Sequence, residues 1–411
     1  MNTESKPMYG WNDLPWKQFE RQVFKLQKRI YRASQRGDVK TVHQLQRLLI
    51  RSRASRYLAV RRVTQDNQGK KTAGVDGVKA LPPCQRTELA ESLNLSQKAS
   101  PVRRVWIPKP GTTEKRGLGI PTMANRALQA LVKLALEPQW EARFEPNSYG
   151  FRPGRSTHDA LEAIRFSIRL QSKYVLDADL AKCFDRINHQ ALLTKLATFP
   201  ALRRVIKSWL KAGIMEGLTL IPTEEGCPQG AVISPLLANV ALHGLEERVT
   251  SAFPARMKRE GQSIRWQPTV VRYADDLVIL HRDPAVIEQA KHIAADWLAE
   301  MGLEFKPSKT WITHTLNRYA SRIGFTFLGF EIRQFPAGKR HSGKTGGKDQ
   351  VHIGFKTIIK PSKEAMHRHQ ERIKEVVGRN KAKWFCQNSG EHLAREALME
   401  YVYRKQTHDE G

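Results

Sequence analysis

The stretch Val270-Val271-Arg272-Tyr273-Ala274-Asp275-Asp276-Leu277-Val278-Ile279-Leu280 decides how this chain is read. Two apolar β-like runs flank a pair of adjacent acids, the pattern of a hairpin that carries its carboxylates at a tight turn. Neighbouring carboxylates raise each other's pKa unless a cation intervenes, so such a turn is costly as plain structure. Well upstream, Val175-Leu176-Asp177-Ala178-Asp179-Leu180 is a second β-like run with acids, and the two-residue period puts Asp177 and Asp179 on one face. If both runs share a sheet, Asp179 and Asp275 can hold hard cations between them. Mg²⁺ suits such a site, because it takes one or two carboxylates and fills its shell with water and phosphate oxygens. Two ions about 3.5–4 Å apart would activate a primer 3′-hydroxyl and stabilise leaving pyrophosphate.

The surroundings of this hairpin are strongly basic. The 411 residues carry 69 Lys+Arg against 40 Asp+Glu, a formal net charge of +29, which points to a polyanionic partner. With 40% hydrophobic and 27% charged residues the composition is globular, which excludes a wholly disordered chain. No apolar run approaches the roughly 18 residues of a spanning helix, so no membrane partner is expected. The N-terminus lacks the apolar core of a secretory signal. Cys84, Cys183, Cys227 and Cys386 are too dispersed for a zinc knuckle or a disulfide framework, and are expected as plain thiols in a reducing cytoplasm.

Three regions follow from pattern. Residues 1–75 form a basic helical extension: Phe19, Val23, Leu26 and Ile30 recur at helical spacing, and Val42, Leu45, Leu48 and Leu49 repeat the pattern after Gly37-Asp38. The spacing predicts a helical hairpin whose outer face, with Arg29 and Arg36, meets phosphates. Residues 76–358 mix strands, predicted over 102–107, 174–180, 269–273, 277–281 and 327–332, with helices over 125–144, 158–170, 202–212 and 285–301. That mixture is α+β with an antiparallel sheet. Residues 359–411 are basic and predicted helical.

The ordered motifs resemble those of the group II intron-encoded reverse transcriptases. Gly119-Ile120-Pro121-Thr122 and Ser148-Tyr149-Gly150-Phe151-Arg152-Pro153-Gly154-Arg155-Ser156 are similar to the family's finger blocks. Asp179 to Asp185, then Gly226-Cys227-Pro228-Gln229-Gly230, resemble its first palm motifs. Tyr273 to Asp276 matches its catalytic box, and Phe327-Leu328-Gly329-Phe330 the palm–thumb border. The resemblance runs from about residue 10 to residue 377 and implies a right-hand polymerase fold with fingers, an antiparallel palm sheet, a helical N-terminal extension and a partial helical thumb.

It also implies roles. Asp179, Asp275 and Asp276 match the catalytic, metal-binding triad, served by two Mg²⁺ ions that Mn²⁺ can replace. Phe184 matches the aromatic gate that favours deoxynucleotides. Lys109 and Arg116 resemble the finger residues that reach the triphosphate. Gln229, Gly230 and Tyr273 match positions along the nascent pair. Arg152 and Arg155 either grip a phosphate backbone or are paired within the fingers. Lys309 resembles a nucleic-acid-proximal lysine that protonates pyrophosphate. The implied activity is RNA-directed DNA synthesis from dNTPs on an RNA template with a DNA primer, together with intron RNA binding; no protein partner is predictable. The alternative is a catalytically impaired remnant that only binds intron RNA, because family resemblance ends near Asn380, within what would be the thumb.

One further motif is a decoy. Gly338 to Thr345 fits the pattern GxxxxGK[ST], but a phosphate-binding loop needs a helix opening at its end. Here a Gly-rich segment and a β-like Val351-His352-Ile353 follow, which predicts a basic hairpin loop instead.

Overall fold

The computed structural model describes residues 10–108, 113–259, 261–338, 341–345 and 351–384. Its main unit comprises the described residues up to 325 together with 333–357.

That unit begins with the predicted hairpin and adds a third helix: α1 (Trp16–Gln35), α2 (Val39–Arg51) and α3 (Arg53–Arg61). Gly37 takes a left-handed φ of 72°, and the Asp38 carboxylate accepts from the Thr41 amide, which closes one helix and opens the next. The apolar stripes of these helices, with Phe19, Val23, Ile30, Val42 and Leu49 buried, pack on the helix Met123–Glu141. Polar groups sealed between them are matched: Gln46 donates to Gln139 Oε1 at 2.7 Å, and the Ser34 hydroxyl to the Gln139 carbonyl at 2.8 Å. Arg29 and Arg36 lie on the exposed face.

Two four-stranded sheets build the rest. The first runs β2-β1-β4-β5, from β1 (Val102–Pro108), β2 (Lys115–Ile120), β4 (Ile214–Glu216) and β5 (Thr219–Ile221). The second is antiparallel throughout, in the order β10-β3-β9-β8, from β3 (Tyr174–Asp179), β8 (Thr269–Tyr273), β9 (Asp276–His281) and β10 (Trp311–His314). A short hairpin of β6 (Arg256–Arg259) and β7 (Gln262–Arg265) precedes β8. The alternation of β3 orients the second sheet. Leu176 and Ala178 join Val270, Leu277 and Ile279 in a core closed by Val286, Ile287, Ala290 and Ala294 of the helix Pro284–Glu300. Asp177 and Asp179 therefore face the opposite side.

A second unit holds residues 326–332 and the described residues from 358. In it the helix Lys363–Trp384 is opened by Ser362, whose hydroxyl accepts from the Ala365 amide, and Ser362 N–H donates to the Gly329 carbonyl at 2.8 Å. The strand predicted over 327–332 is broken. Leu328 (φ 51°) and Gly329 (φ 83°) turn the chain between Phe325–Phe327 and a strand at Phe330–Pro336. At the decoy motif, Lys344 bridges His352 and Thr345 N–H donates to the Val351 carbonyl, so the described part of that segment is a hairpin.

Candidate active site

The register of the second sheet brings the acids together. Asp179, last residue of β3, lies directly opposite Asp276, first residue of β9, and Tyr273 pairs with Asp276 across the hairpin. Only Ala274 and Asp275 remain for the turn, a two-residue connection in which Ala274 takes φ 57°. A left-handed alanine costs about 1–2 kcal/mol and persists only where its surroundings impose it.

The surroundings do impose it. Arg272, 4% exposed, sends one guanidinium nitrogen to the Ala274 carbonyl and to Asn239 Oδ1, both at 3.0 Å, and the other to the Ser148 hydroxyl at 2.6 Å. Asn239 in turn donates to the Gly150 carbonyl at 2.7 Å. The backbones of 147–149 and 272 exchange further bonds, Tyr149 N–H to the Arg272 carbonyl and Arg272 N–H to the Asn147 carbonyl, each 2.9 Å. A methyl group on Gly150 would stand 2.4 Å from the Ala274 nitrogen, so glycine alone lets the finger segment lie against the turn. Arg272 was missed in the sequence, where an arginine between apolar residues reads as an exposed strand position.

The electrostatics are those of crowded carboxylates. Burial, then Asp275 and Asp179, push the Asp276 carboxyl up to about 7. Burial also raises Asp275, with Asp179 adding to it and Arg116 opposing. Asp177 is a fourth acid that the triad reading left out: burial, then Asp276, push it up to about 7, while Arg322 opposes. Lys309 supplies counter-charge, its ammonium donating to Asp179 Oδ2 at 2.8 Å, and that bond raises the lysine's own pKa. Among the described residues no group of three or more His, Cys, Asp or Glu side chains is placed to hold a metal ion. The Asp179, Asp275 and Asp276 carboxylates are half-buried at the ends of two central strands, and oxygen donors of this kind suit a hard divalent ion whose remaining shell is water and phosphate.

The other predicted residues fall as follows. Phe184, partly buried, meets Phe151 edge-on at 6.1 Å and packs on the main core. Gln229 is half-buried, and its carbonyl accepts from Gly119 N–H at 2.7 Å. Gly230 takes φ 103°, and a Cβ there would come within 3.2 Å of the Gly119 carbonyl. Arg116 is exposed on β2, and Lys109 lies outside the described residues. Arg152 is a correction to the phosphate-grip expectation. It is 8% exposed, pairs with Glu141 at 2.8 Å, and donates to the Glu145 and Ser148 carbonyls, so its donors are spent inside the fold. Arg155 is half-buried, with one nitrogen on the Pro146 carbonyl and its guanidinium 5.3 Å from the Tyr149 ring.

Comparison with known proteins meets this geometry. Residues 107–332 match the family described as reverse transcriptase (RNA-dependent DNA polymerase), and residues 11–93 the N-terminal domain of reverse transcriptase. The chain belongs to the reverse transcriptase family. Protein YkfC of Escherichia coli is 31% identical over 332 residues, covering 70% of this chain and 83% of that protein. The group II intron-encoded protein LtrA of Lactococcus lactis is 29% identical over 344 residues, 69% of this chain and 55% of its own length. Maturase-like protein 1 of Euglena gracilis is 33% identical over 246 residues, covering 56% of this chain and 51% of that protein. This reverse transcriptase, an RNA-dependent DNA polymerase by family, is thus similar to intron-encoded proteins and spans about half the length of LtrA. A solved telomerase from Candida tropicalis aligns with TM-score 0.42 and 14% identity over 60% of this chain and 56% of that one. Family membership brings a general requirement for divalent cations and for an RNA template. Among the described residues no helix is long and apolar enough to cross a membrane.

Proposed function

We propose that the Asp179–Asp276 pair and the adjoining Asp275 form the centre at which this reverse transcriptase extends a DNA primer with dNTPs on an RNA template. The observation that carries the reading is the register: two strands far apart in sequence bring Asp179 opposite Asp276, with Asp275 beside them in the turn. In the reaction the primer 3′-hydroxyl oxygen forms a bond to the α-phosphorus, and the bond to the bridging oxygen of pyrophosphate breaks. Asp179, Asp275 and Asp276 would hold two Mg²⁺ ions, with Mn²⁺ able to substitute, and these would favour the alkoxide and neutralise charge on the leaving group. Arg116 on the fingers offers positive charge to the triphosphate, a role it would share with Lys109. Lys309, kept protonated by Asp179, is assigned proton delivery to pyrophosphate, and Phe184 the exclusion of a ribose 2′-hydroxyl. Gln229, Gly230 and Tyr273 are assigned to the template–nucleotide pair.

We assign residues 1–75 to intron RNA binding, residues 76–358 to fingers and palm, and residues from 359 to the start of a thumb. The described free thiols, buried Cys183 and Cys227 and exposed Cys84, suit a reducing cytoplasm.

Primer extension on an RNA template with dNTPs and Mg²⁺, wild type beside Asp275→Asn, tests the reading. Extension by the wild type alone is expected. No extension by either protein, with tight RNA binding retained, would replace it with a chain that only binds RNA.

A further inference from the structure

The strand β8 carries the catalytic turn at one end and a different feature at the other. Beside Thr269 an open cleft of about 630 Å³ lies between β8, the β6–β7 hairpin and the helix Thr157–Ile168. At about 3.4 Å per residue its wall at Thr269 is about 17 Å along the strand from Ala274. None of the clustered aspartates lines the cleft, although its lining includes Asn147 and Tyr149, which bond to the Arg272 backbone.

Three observations point to what it takes. First, behind the cleft a hydrogen-bonded chain leads outward: the Lys173 ammonium donates to the Ser167 hydroxyl at 2.9 Å, and that hydroxyl donates to Thr269 Oγ1 at 3.1 Å. Thr269 lines the cleft, so its hydroxyl, backed through Ser167 by the Lys173 ammonium, can serve as a donor to a ligand there. Second, Lys173 is a cation among cations. Burial, then Arg265 and Arg282, lower its pKa to about 8, and among the described residues no carboxylate pairs with it. An uncompensated, half-buried ammonium beside a cleft is stabilised by an anion entering there. Third, Arg265 and Arg155 line the same cleft, and at its rim Phe166 is 59% exposed with the Arg169 guanidinium stacked 3.9 Å from its ring. The two acids of the lining are already engaged. Asp159 caps the helix through Ser156, and Glu162 is gripped by Arg165.

An aromatic platform beside a positively charged groove is how single-stranded polynucleotides are held without sequence readout. We infer that this cleft is a second nucleic-acid site, in which Arg155, Arg265 and Thr269 hold a phosphodiester and Phe166 stacks a base of a single strand lying outside the polymerase centre. The inference rests on the reading of this chain as an RNA-handling polymerase.

The probe is a fluorescein-labelled oligouridylate of about 12 nucleotides, a length within the usual range for such surfaces. Its affinity for the full chain is measured by anisotropy over a salt series. Phe166 and Arg265 are both exposed, so Phe166→Ala with Arg265→Ala leaves the core intact. The double variant is expected to bind about tenfold more weakly, and its salt slope to fall by about 0.7, one single-strand phosphate contact. Arg204→Ala, an equal charge loss at an exposed position of the helix Pro200–Leu210, is expected to change neither. With 4-thiouridine in the probe, crosslinks should map to the peptide containing Phe166. Equal affinity and slope in wild type and double variant overturns the site. So does competition by inorganic phosphate at the cleft while the oligonucleotide binds all proteins alike, which would assign a free anion. Loss of primer extension in every protein, with the Phe166 and Arg265 effects on binding intact, would defeat only the polymerase reading.

Discussion

Replacing Gly150 by alanine should reach the clustered aspartates, proposed above as the catalytic centre, without touching them. The added Cβ would meet the Ala274 nitrogen at 2.4 Å and its Cα and Cβ at 3.0 Å. Gly150 does not have a left-handed φ, so alanine is conformationally allowed and only crowding acts. Ordinary contact needs about 3.4 Å or more between such atoms, so one partner must move by about 1 Å. The finger segment resists: Asn239 holds the Gly150 carbonyl, residues 147 and 149 are bonded to Arg272, and Arg152 is tied to Glu141. The yielding part is the two-residue turn, and Asp275 moves with Ala274. A misplacement of about 1 Å at a reacting centre costs on the order of a hundredfold in rate, while overpacking costs about 1–3 kcal/mol in stability. Single-turnover primer extension and urea unfolding, measured on the same preparations, separate the two. Gly378→Ala is the control, because a Cβ there meets nothing within 4 Å. Gly150→Ala extending primers within about threefold of wild type would refute the idea that this contact positions the turn.

The same clamp predicts that Arg272→Gln, which strands buried Ser148 and Asn239 groups, destabilises by about 2–4 kcal/mol in urea unfolding; a change below about 0.5 kcal/mol would show the network to be dispensable. Phe184→Val should raise incorporation of ribonucleotides relative to dNTPs by at least about tenfold in competition assays, and unchanged discrimination would remove Phe184 from the gate. His43, His189, His281 and His314 all have folded pKa values lowered chiefly by burial. As pH falls through the unfolded value of about 6.5, the unfolded chain takes up protons that these rings refuse, so each subtracts stability at acid pH. His281→Gln should therefore lose less of its urea midpoint than wild type between about pH 7.5 and about pH 5.5, and an equal or larger loss would contradict the sign.

What the sequence disclosed and what it hid divide along the range of the interactions. Strands read from alternation stand within a residue of β1, β3, β8 and β9, and the helices at Met123–Glu141, Thr157–Ile168, Pro200–Leu210 and Pro284–Glu300 start within two residues of their predicted positions. These signals are local, written in the periodicity of each segment. The break at Leu328-Gly329 was hidden because a leucine at φ 51° has no signature of its own. The aspartates were legible because adjacent acids between apolar runs are anomalous in any fold. Arg272 and Arg152 were not, since an arginine's fate depends on partners that the chain brings from elsewhere: Ser148 lies 124 positions from Arg272, and Glu141 eleven from Arg152.

The departures from local preference gather at one hairpin, which is itself an argument about how the site works. A left-handed alanine, a glycine pressed against backbone, a buried arginine and a row of crowded carboxylates would each weaken a sheet built only for stability. Here each compensates another. Arg272 holds the carbonyl of the residue whose φ is unfavourable, Gly150 makes room for that residue, and the finger segment that supplies Gly150 is fastened by Arg272 in return. The turn is therefore rigid on the side of the fingers, while its carboxylates remain under-neutralised on the open side, where Lys309 reaches only Asp179. A divalent cation with its phosphate ligands would relieve that excess charge more fully than one ammonium can, at the turn that this clamp positions.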